Sequence, residues 1–115
     1  DLYTIADLLP TSEKLLVPIV IDFHHDEINP GSSCVSSYFE RVFAVWHERD
    51  IKPKVHVSNS VPGVKSDDTK TARRKHSDLI YRLHDTLLQI KIPLDVMLEC
   101  KMKEQSILQL RKSCC

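Results

Sequence analysis

Three short apolar segments recur along this chain, and residues with helical periodicity separate them. The segments are Ile19–Phe23, Pro53–Ser58 and Leu94–Glu99. Strands that alternate with helices pair in parallel through right-handed crossovers, because each helix packs back onto the sheet between two strands. The alternation therefore predicts an α/β fold with three parallel strands.

Apolar residues recur at helical spacing before, between and after these segments. We predict helices over Tyr3–Leu16 (interrupted by Pro10), Ser33–Arg49, His76–Ile90 and Lys101–Leu110, with polar connections over 24–33 and 59–75. The resulting order is α-βα-βα-βα. This order is compatible with a small doubly wound layer or with part of a (β/α)8 barrel.

Length and composition exclude several classes of protein. A chain of 115 residues is long enough for one small domain, and its apolar runs fall short of the ~20 residues of a membrane span. Sixteen basic and sixteen acidic residues cancel, which argues against a simple electrostatic nucleic-acid binder. The sequence has no glycine-rich phosphate loop, so no nucleotide cofactor is expected. Four cysteines without CxxC spacing indicate an intracellular protein rather than a zinc knuckle.

Side chains that bind metals lie near the carboxyl end of each predicted strand. Asp22, His56 and Glu99 occupy these positions, on the strand face opposite the purely apolar one. The carboxyl ends of parallel strands meet at one edge of a sheet, where α/β enzymes carry their active sites. Carboxylate and imidazole groups bind divalent metals. The pattern favours a metal site over a buried polar network.

The remaining histidines are less constrained. His25 lies just beyond the first strand and could reach the same edge, and His76 could fold back onto it or remain a helix cap. His24 is ambiguous between a supporting and a surface position. His47 and His84 lie within predicted helices among charged neighbours, and we expect both to be solvated.

The connection after the second strand is basic. It carries Lys65, Lys70, Arg73, Arg74 and Lys75 against Asp67 and Asp68. A solvated loop and a phosphate-binding loop both fit this composition.

With these residues assembled, the chain resembles the UV-damage endonuclease family. The matching segments are 18–25 (PIVIDFHH), 51–58 (IKPKVHVS), 73–78 (RRKHSD) and 94–104 (LDVMLECKMKE), in family order. The resemblance implies the carboxyl-terminal part of a TIM (β/α)8 barrel, related in architecture to endonuclease IV and the sugar isomerases. It also implies a DNA repair endonuclease that cleaves DNA 5′ to UV photoproducts and other lesions.

The resemblance implies roles for individual residues. Asp22, His25, His56, His76 and Glu99 match metal ligands of a divalent cluster, typically Mn²⁺, with Zn²⁺ or Mg²⁺ as alternatives. Lys54 matches a catalytic lysine that can be carboxylated, while His24 and Asp78 would support the ligands. The basic residues Lys65, Lys70, Arg73, Arg74 and Lys75 would contact the DNA backbone. Asp26 departs from the family, since many relatives carry a third histidine there.

A complete barrel takes about 250 residues, so residues 1–115 are expected to form a single partial domain with incomplete metal coordination. The complete enzyme is expected to be a monomer that acts on double-stranded DNA carrying UV lesions, with no membrane partner. It would work in the nucleus of a eukaryote or the cytoplasm of a bacterium. Two alternatives remain: another metal-dependent barrel enzyme, acting on a sugar or an abasic site, or an inactive remnant that binds DNA or a partner.

Overall fold

The computed structural model describes residues 3–114. In chain order, the helices and strands are α1 (Ile5–Leu15), β1 (Ile21–Asp22), α2 (Phe23–Ile28), a 3-10 turn (Val35–Tyr38), α3 (Phe39–Glu48), β2 (Lys54–Val57), α4 (Lys70–Arg74), α5 (Asp85–Leu88), β3 (Asp95–Leu98) and α6 (Glu104–Cys114).

The strands form one parallel sheet in the order β1-β2-β3. Ile21 pairs with Val55, and Val55 pairs in turn with Val96 on the other side. The sequence-based prediction of three parallel strands in an α/β fold is therefore confirmed. Helical segments connect the strands, as parallel pairing requires.

One face of the sheet carries the hydrophobic core. Ile21, Val55 and Val57 are fully buried there, and they belong to the same cluster as Leu9 of α1 and Trp46 of α3. The indole Nε1–H of Trp46 also donates a hydrogen bond of 2.8 Å to the carbonyl of residue 19, which ties α3 to the chain just before β1. Burial alternates along β2, so its polar side chains are turned to the opposite face, as predicted.

Helix α1 runs through Pro10 rather than being interrupted there, and both of its ends are capped. Thr4 and Asp7 form a capping box, in which each side chain accepts a hydrogen bond from the other residue's backbone N–H. At the carboxyl end, Leu16 adopts a left-handed conformation with φ of 53°. Its N–H donates to the carbonyl of Ser12, which satisfies an otherwise unpaired end of the helix.

The loop predicted over 24–33 is wrong in its first half, which forms α2. Asp22 ends β1 and caps this helix, since its carboxylate accepts a 2.9 Å hydrogen bond from the backbone N–H of His25. The same residue therefore terminates the strand and starts the helix. This explains why β1 is shorter than predicted.

The helix predicted over 76–90 is wrong apart from the single turn of α5. The side-chain oxygen of buried Asn59 accepts hydrogen bonds from the backbone N–H groups of Tyr81 at 2.8 Å and Arg82 at 3.2 Å. The N–H of Ile80 donates instead to a serine hydroxyl of α6, at 2.6 Å. Tertiary partners thus satisfy backbone groups that a helix would have paired internally.

Strand β3 is the least buried of the three. Val96 is 42% exposed and Met97 is 45% exposed, so both faces of the strand contact solvent. Val96, on the apolar face of β3, is therefore not covered by a helix of the described residues. Among residues 3–114, no helix combines the length and apolar character that crossing a membrane requires.

Candidate metal centre at the carboxyl edge of the sheet

Three metal-binding side chains converge where the strands end. Asp22 lies opposite His56 in the register of β1 and β2. Glu99 follows β3 directly, and its N–H donates a 2.8 Å hydrogen bond to the carbonyl of Val57, which holds it beside the end of β2. One donor atom from each of the three residues lies within 4.8 Å of the others. Such a group can hold a divalent metal ion.

The His56 ring has two different environments. Its Nδ1 atom contacts the Oε1 atom of Glu99. Its Nε2 atom is buried and has no hydrogen-bond partner among the described residues. A buried polar atom without a partner is costly, whereas histidine ligands commonly donate one nitrogen to a carboxylate and bind a metal through the other. The donor set therefore fits a divalent ion.

The Asp22 carboxylate is oriented by its role as a helix cap. One of its oxygens, Oδ1, accepts the hydrogen bond from the His25 backbone. The second oxygen can bind a metal while this bond is intact. The turn from strand to helix thus positions the carboxylate without help from other side chains.

His25 lies outside the group of donors within 4.8 Å of one another. Its Nε2 atom is 3.4 Å from the backbone carbonyl of Tyr3. The structure therefore places the backbone of His25 at the centre, through the cap on Asp22, and its ring toward the start of α1. The predicted ligand role of His25 stays a prediction.

His76 approaches the centre from the segment after α4. An antiparallel bridge joins it to Ser60, and its ring centroid lies 5.7 Å from that of His24. Asp78, predicted to support His76, is directed toward Lys101, with 3.9 Å between its carboxylate and the lysine Nζ. His76 is thus beside the three-residue group rather than in it.

His24 is buried, although the sequence left its position open. Its Nε2 atom is 3.0 Å from the Ser60 hydroxyl, which donates its own proton to the carbonyl of Arg73 at 2.6 Å. Nε2 must therefore carry the hydrogen. Burial, followed by the nearby charge of His76, lowers the pKa of His24 below its usual value, which favours the neutral ring.

The prediction that His84 is solvated is wrong, whereas His47 is exposed as predicted. His84 stacks on Phe23 and lies between two oxygens, the Ser58 carbonyl at 3.2 Å and a Glu27 carboxylate oxygen at 3.1 Å. The hydrogen bond from His84 is the largest influence that lowers the pKa of Glu27 to about 2, and Arg82 adds to it. These contacts link α2 to the irregular segment before β3.

Lys54 lies two residues before His56 and therefore on the same face of β2. It is half-buried and lines an open cleft of about 610 Å³ together with His76 and Glu99. The structure therefore places Lys54 in one cleft with Glu99, a member of the metal-binding group.

The basic residues Lys65, Lys70, Arg73, Arg74 and Lys75, which we call the basic edge, lie before α4, in it and at its end. Thr69 caps α4 by accepting a hydrogen bond of 3.2 Å from the N–H of Ala72. Lys70 donates to the Asn29 side chain at 3.2 Å, and Arg73 donates to the carbonyl of Glu27 at 3.3 Å. Lys65, Arg74 and Lys75 are exposed. Contacts with α2 thus hold α4 beside the centre.

These features define an α/β protein of the barrel type with a candidate divalent-metal centre at the carboxyl edge of its sheet. The profile of the family described as UV-endonuclease UvdE matches residues 1–114. The chain belongs to this family, which confirms the resemblance predicted from the sequence.

Similar proteins include the UV DNA damage endonuclease of Halalkalibacterium halodurans, which is 32% identical over 111 residues that cover 96% of this chain and 34% of that protein. The UV-damage endonuclease of Neurospora crassa is 32% identical over 120 residues, covering 96% of this chain and 17% of that protein. The chain therefore spans about a third of the bacterial relative and a smaller share of the fungal one.

A solved structure supports the fold. The crystal structure of SacUVDE matches with a TM-score of 0.69 and 23% identity, over 94% of this chain and 34% of that chain. This likeness confirms the predicted α/β, barrel-type fold, of which the chain forms a part.

Proposed function

We propose that this chain carries part of the active site of a DNA repair endonuclease that depends on divalent metal ions. The observation that carries the proposal is the Asp22–His56–Glu99 group, with its donor atoms within 4.8 Å of one another, in a member of this family. The reaction would be hydrolysis of a phosphodiester bond 5′ to UV photoproducts and other lesions in double-stranded DNA.

Asp22, His56 and Glu99 would be the principal ligands, with Mn²⁺ as the ion we expect. A bound divalent ion would activate water and stabilise the negative charge that develops on the phosphate oxygens. Three donors leave the coordination sphere of such an ion open. We propose His25 and His76 as further ligands, because the backbone of His25 is bonded to Asp22 and His76 shares a cleft with Glu99.

Neighbouring residues would prepare the site. Lys54 shares a cleft with Glu99, so its ammonium group is suited to a phosphate oxygen beside the ion. His24, buried against Ser60, would hold the ring of His76 in place through their edge contact. Asp78 would position His76 through the backbone between them.

The basic edge would bind the DNA backbone. Lys65, Lys70, Arg73, Arg74 and Lys75 follow β2 and lie beside α2, whose first residue follows Asp22 directly. Binding there would place the backbone of one DNA strand along the basic edge, with its phosphates toward the metal centre.

We further propose that residues 1–115 are a single partial domain of a monomeric enzyme. A DNA substrate would place the enzyme in the nucleus of a eukaryote or the cytoplasm of a bacterium. This organisation agrees with the share of the bacterial relative that the chain covers, 34%.

A chimaera tests the proposed function, because the chain spans only part of its relatives. Residues 3–114 would replace the matching segment of the Halalkalibacterium halodurans relative. We expect Mn²⁺-dependent nicking of UV-irradiated supercoiled plasmid, lost on His56→Ala and retained in the control Lys14→Gln, on the distant helix α1. Nicking that survives His56→Ala, or that prefers depurinated over irradiated plasmid, would overturn the proposal.

A further inference from the structure

A second cleft, of about 570 Å³, opens beside the metal centre and contains a solvent-facing aromatic ring. We call it the Tyr81 cleft. It is lined by the turn after β2, residues 60–66, by the segment around Tyr81, and by His24 and Arg73. None of the ligand roles derived above involves Tyr81.

Tyr81 is a large aromatic residue that remains 53% exposed. Its backbone is nevertheless fixed, because its N–H donates a 2.8 Å hydrogen bond to the side chain of Asn59, which is 9% exposed. The ring is thus presented to solvent from an anchored backbone. The turn that shares the cleft includes Val61 and Pro62, so an apolar surface accompanies the ring.

The charges around the ring favour an anion. Lys65, Arg73 and Arg82 line the cleft, and the only carboxylate among its described lining residues is Glu27. That carboxylate is already paired, with Arg82 Nη2 at 3.0 Å and with His84 Nδ1 at 3.1 Å. Arg73 uses one of its five N–H groups on a backbone carbonyl, which leaves the others for a phosphate.

The polar groups at the base of the cleft are engaged with the protein. Asn59 accepts from two backbone N–H groups and donates to the carbonyls of Ser58 and Arg82. The Ser60 hydroxyl bonds both His24 and the Arg73 carbonyl. These side chains are therefore not available to read the edge of a base, and recognition must rest on stacking and charge.

We propose that the Tyr81 cleft binds one unstacked nucleotide of DNA, with its base on the Tyr81 ring and its phosphate between Lys65 and Arg73, regardless of base identity. Stacking on an aromatic ring beside a cationic groove is how proteins bind single-stranded nucleic acid without sequence preference. This proposal rests on the proposed function, because that function supplies the DNA strand that the cleft would bind. His24 lines the cleft two residues after Asp22, so a strand at the metal centre could reach the cleft.

Binding of a dye-labelled oligothymidylate to the whole chain, measured by fluorescence anisotropy in EDTA, tests this proposal without the metal. We expect Tyr81→Ala to weaken binding about tenfold, and Tyr81→Phe to retain it within about twofold, because phenylalanine also stacks. The matched control is Leu88→Ala, which removes an exposed apolar side chain from α5 and should leave binding unchanged. Oligodeoxyadenylate and oligodeoxycytidylate should show the same dependence on Tyr81.

Each of these measurements has a result that would contradict the proposal. Equal binding by Tyr81→Ala and the wild type, with both folded by circular dichroism, would overturn the proposal, and so would a Tyr81→Phe variant as weak as Tyr81→Ala. If Tyr81→Ala does not fold, Tyr81→Leu replaces it under the same criterion. Thymidine monophosphate that binds as tightly as the oligonucleotide would make the cleft a site for free nucleotides and contradict the assignment to DNA. If Tyr81→Ala weakens oligonucleotide binding but His56 binds no metal, only the proposed function is refuted. If nicking depends on the metal but is unaffected by Tyr81→Ala, only the role of the cleft is refuted.

Discussion

His56 contacts Glu99 through Nδ1, while Nε2 of the same ring is buried without a partner among the described residues. The contact joins the end of β2 to the residue that follows β3. A purely structural ion pair would explain the contact of Nδ1 with Glu99 but would leave the buried Nε2 unexplained. A metal ion at Nε2 accounts for both nitrogens, since Glu99 orients the ring through Oε1 and retains its second carboxylate oxygen for a metal ion.

Substitutions of Asp22 separate its two roles. Asp22→Asn keeps an oxygen to cap α2 but removes the charge, so we expect stability close to the wild type and Mn²⁺ affinity about tenfold lower or worse. Asp22→Ala removes the cap as well and should cost about 1 kcal/mol of unfolding free energy. Urea unfolding and Mn²⁺ titration of both variants measure this, with exposed Asp85→Asn as the control. Equal stability losses in both variants would contradict the capping role.

Glu27 should contribute to acid sensitivity. The pKa of Glu27 is about 2 in the folded protein, below its ordinary value of 4.5. The charged carboxylate therefore stabilises the fold fully at pH values above about 4.5. This stabilisation is lost as the pH falls from about 4.5 toward about 2, and solvent screening reduces its size because the side chain is 46% exposed. Between about pH 6 and about pH 3, the free energy of unfolding should fall less in Glu27→Gln than in the wild type. Glu48→Gln, on α3, should behave as the wild type, and an equal fall in all three proteins would refute the prediction.

Asn59 should be among the most sensitive positions outside the hydrophobic core. Asn59→Ala leaves the backbone N–H groups of Tyr81 and Arg82 without their acceptor, at a cost of about 3 kcal/mol in unfolding free energy. Asn59→Asp keeps that acceptor but sets a charged oxygen against the carbonyls of Ser58 and Arg82, so it should destabilise the fold as well. Chemical denaturation measures both, and exposed Gln89→Ala serves as the control. A loss below about 0.5 kcal/mol for Asn59→Ala would show that solvent replaces the side chain.

The sequence predicts the strands and the convergence of Asp22, His56 and Glu99, because both depend on local pattern. Alternating burial in β2 and a polar residue at each strand end are visible in the residues themselves. The position of His84 is not, since its burial depends on Phe23 and Glu27, more than fifty residues away in the chain. The contacts of Asn59 and Ser60 are also formed with distant residues, although the place of both just after β2 is a signal that the sequence offers.

The failed helix over 76–90 illustrates the same limit. Its apolar spacing is helical, yet Asn59 and a serine of α6 supply partners for its backbone N–H groups. Tertiary hydrogen bonds outweigh local periodicity there, and the outcome exposes Tyr81.

The basic edge should determine how duplex binding depends on salt. Each cation that contacts a phosphate contributes about one unit to the slope of log affinity against log salt, so Lys70→Gln with Arg73→Gln should lower the slope by about two. Anisotropy titrations of a labelled duplex over a range of NaCl concentrations give this slope. Lys14→Gln combined with Lys91→Gln, two exposed lysines outside this segment, is the control of equal charge change. An unchanged slope in the double variant would show that these residues face solvent rather than phosphate.

The most direct test is Mn²⁺ binding to the chain itself, followed by electron paramagnetic resonance of the free ion. We expect saturable binding that His56→Ala and Glu99→Gln each weaken about tenfold or more, and that Asp85→Asn, at an exposed position at the start of α5, leaves unchanged. Binding that is absent in the wild type, or equally strong in His56→Ala, would contradict the metal centre.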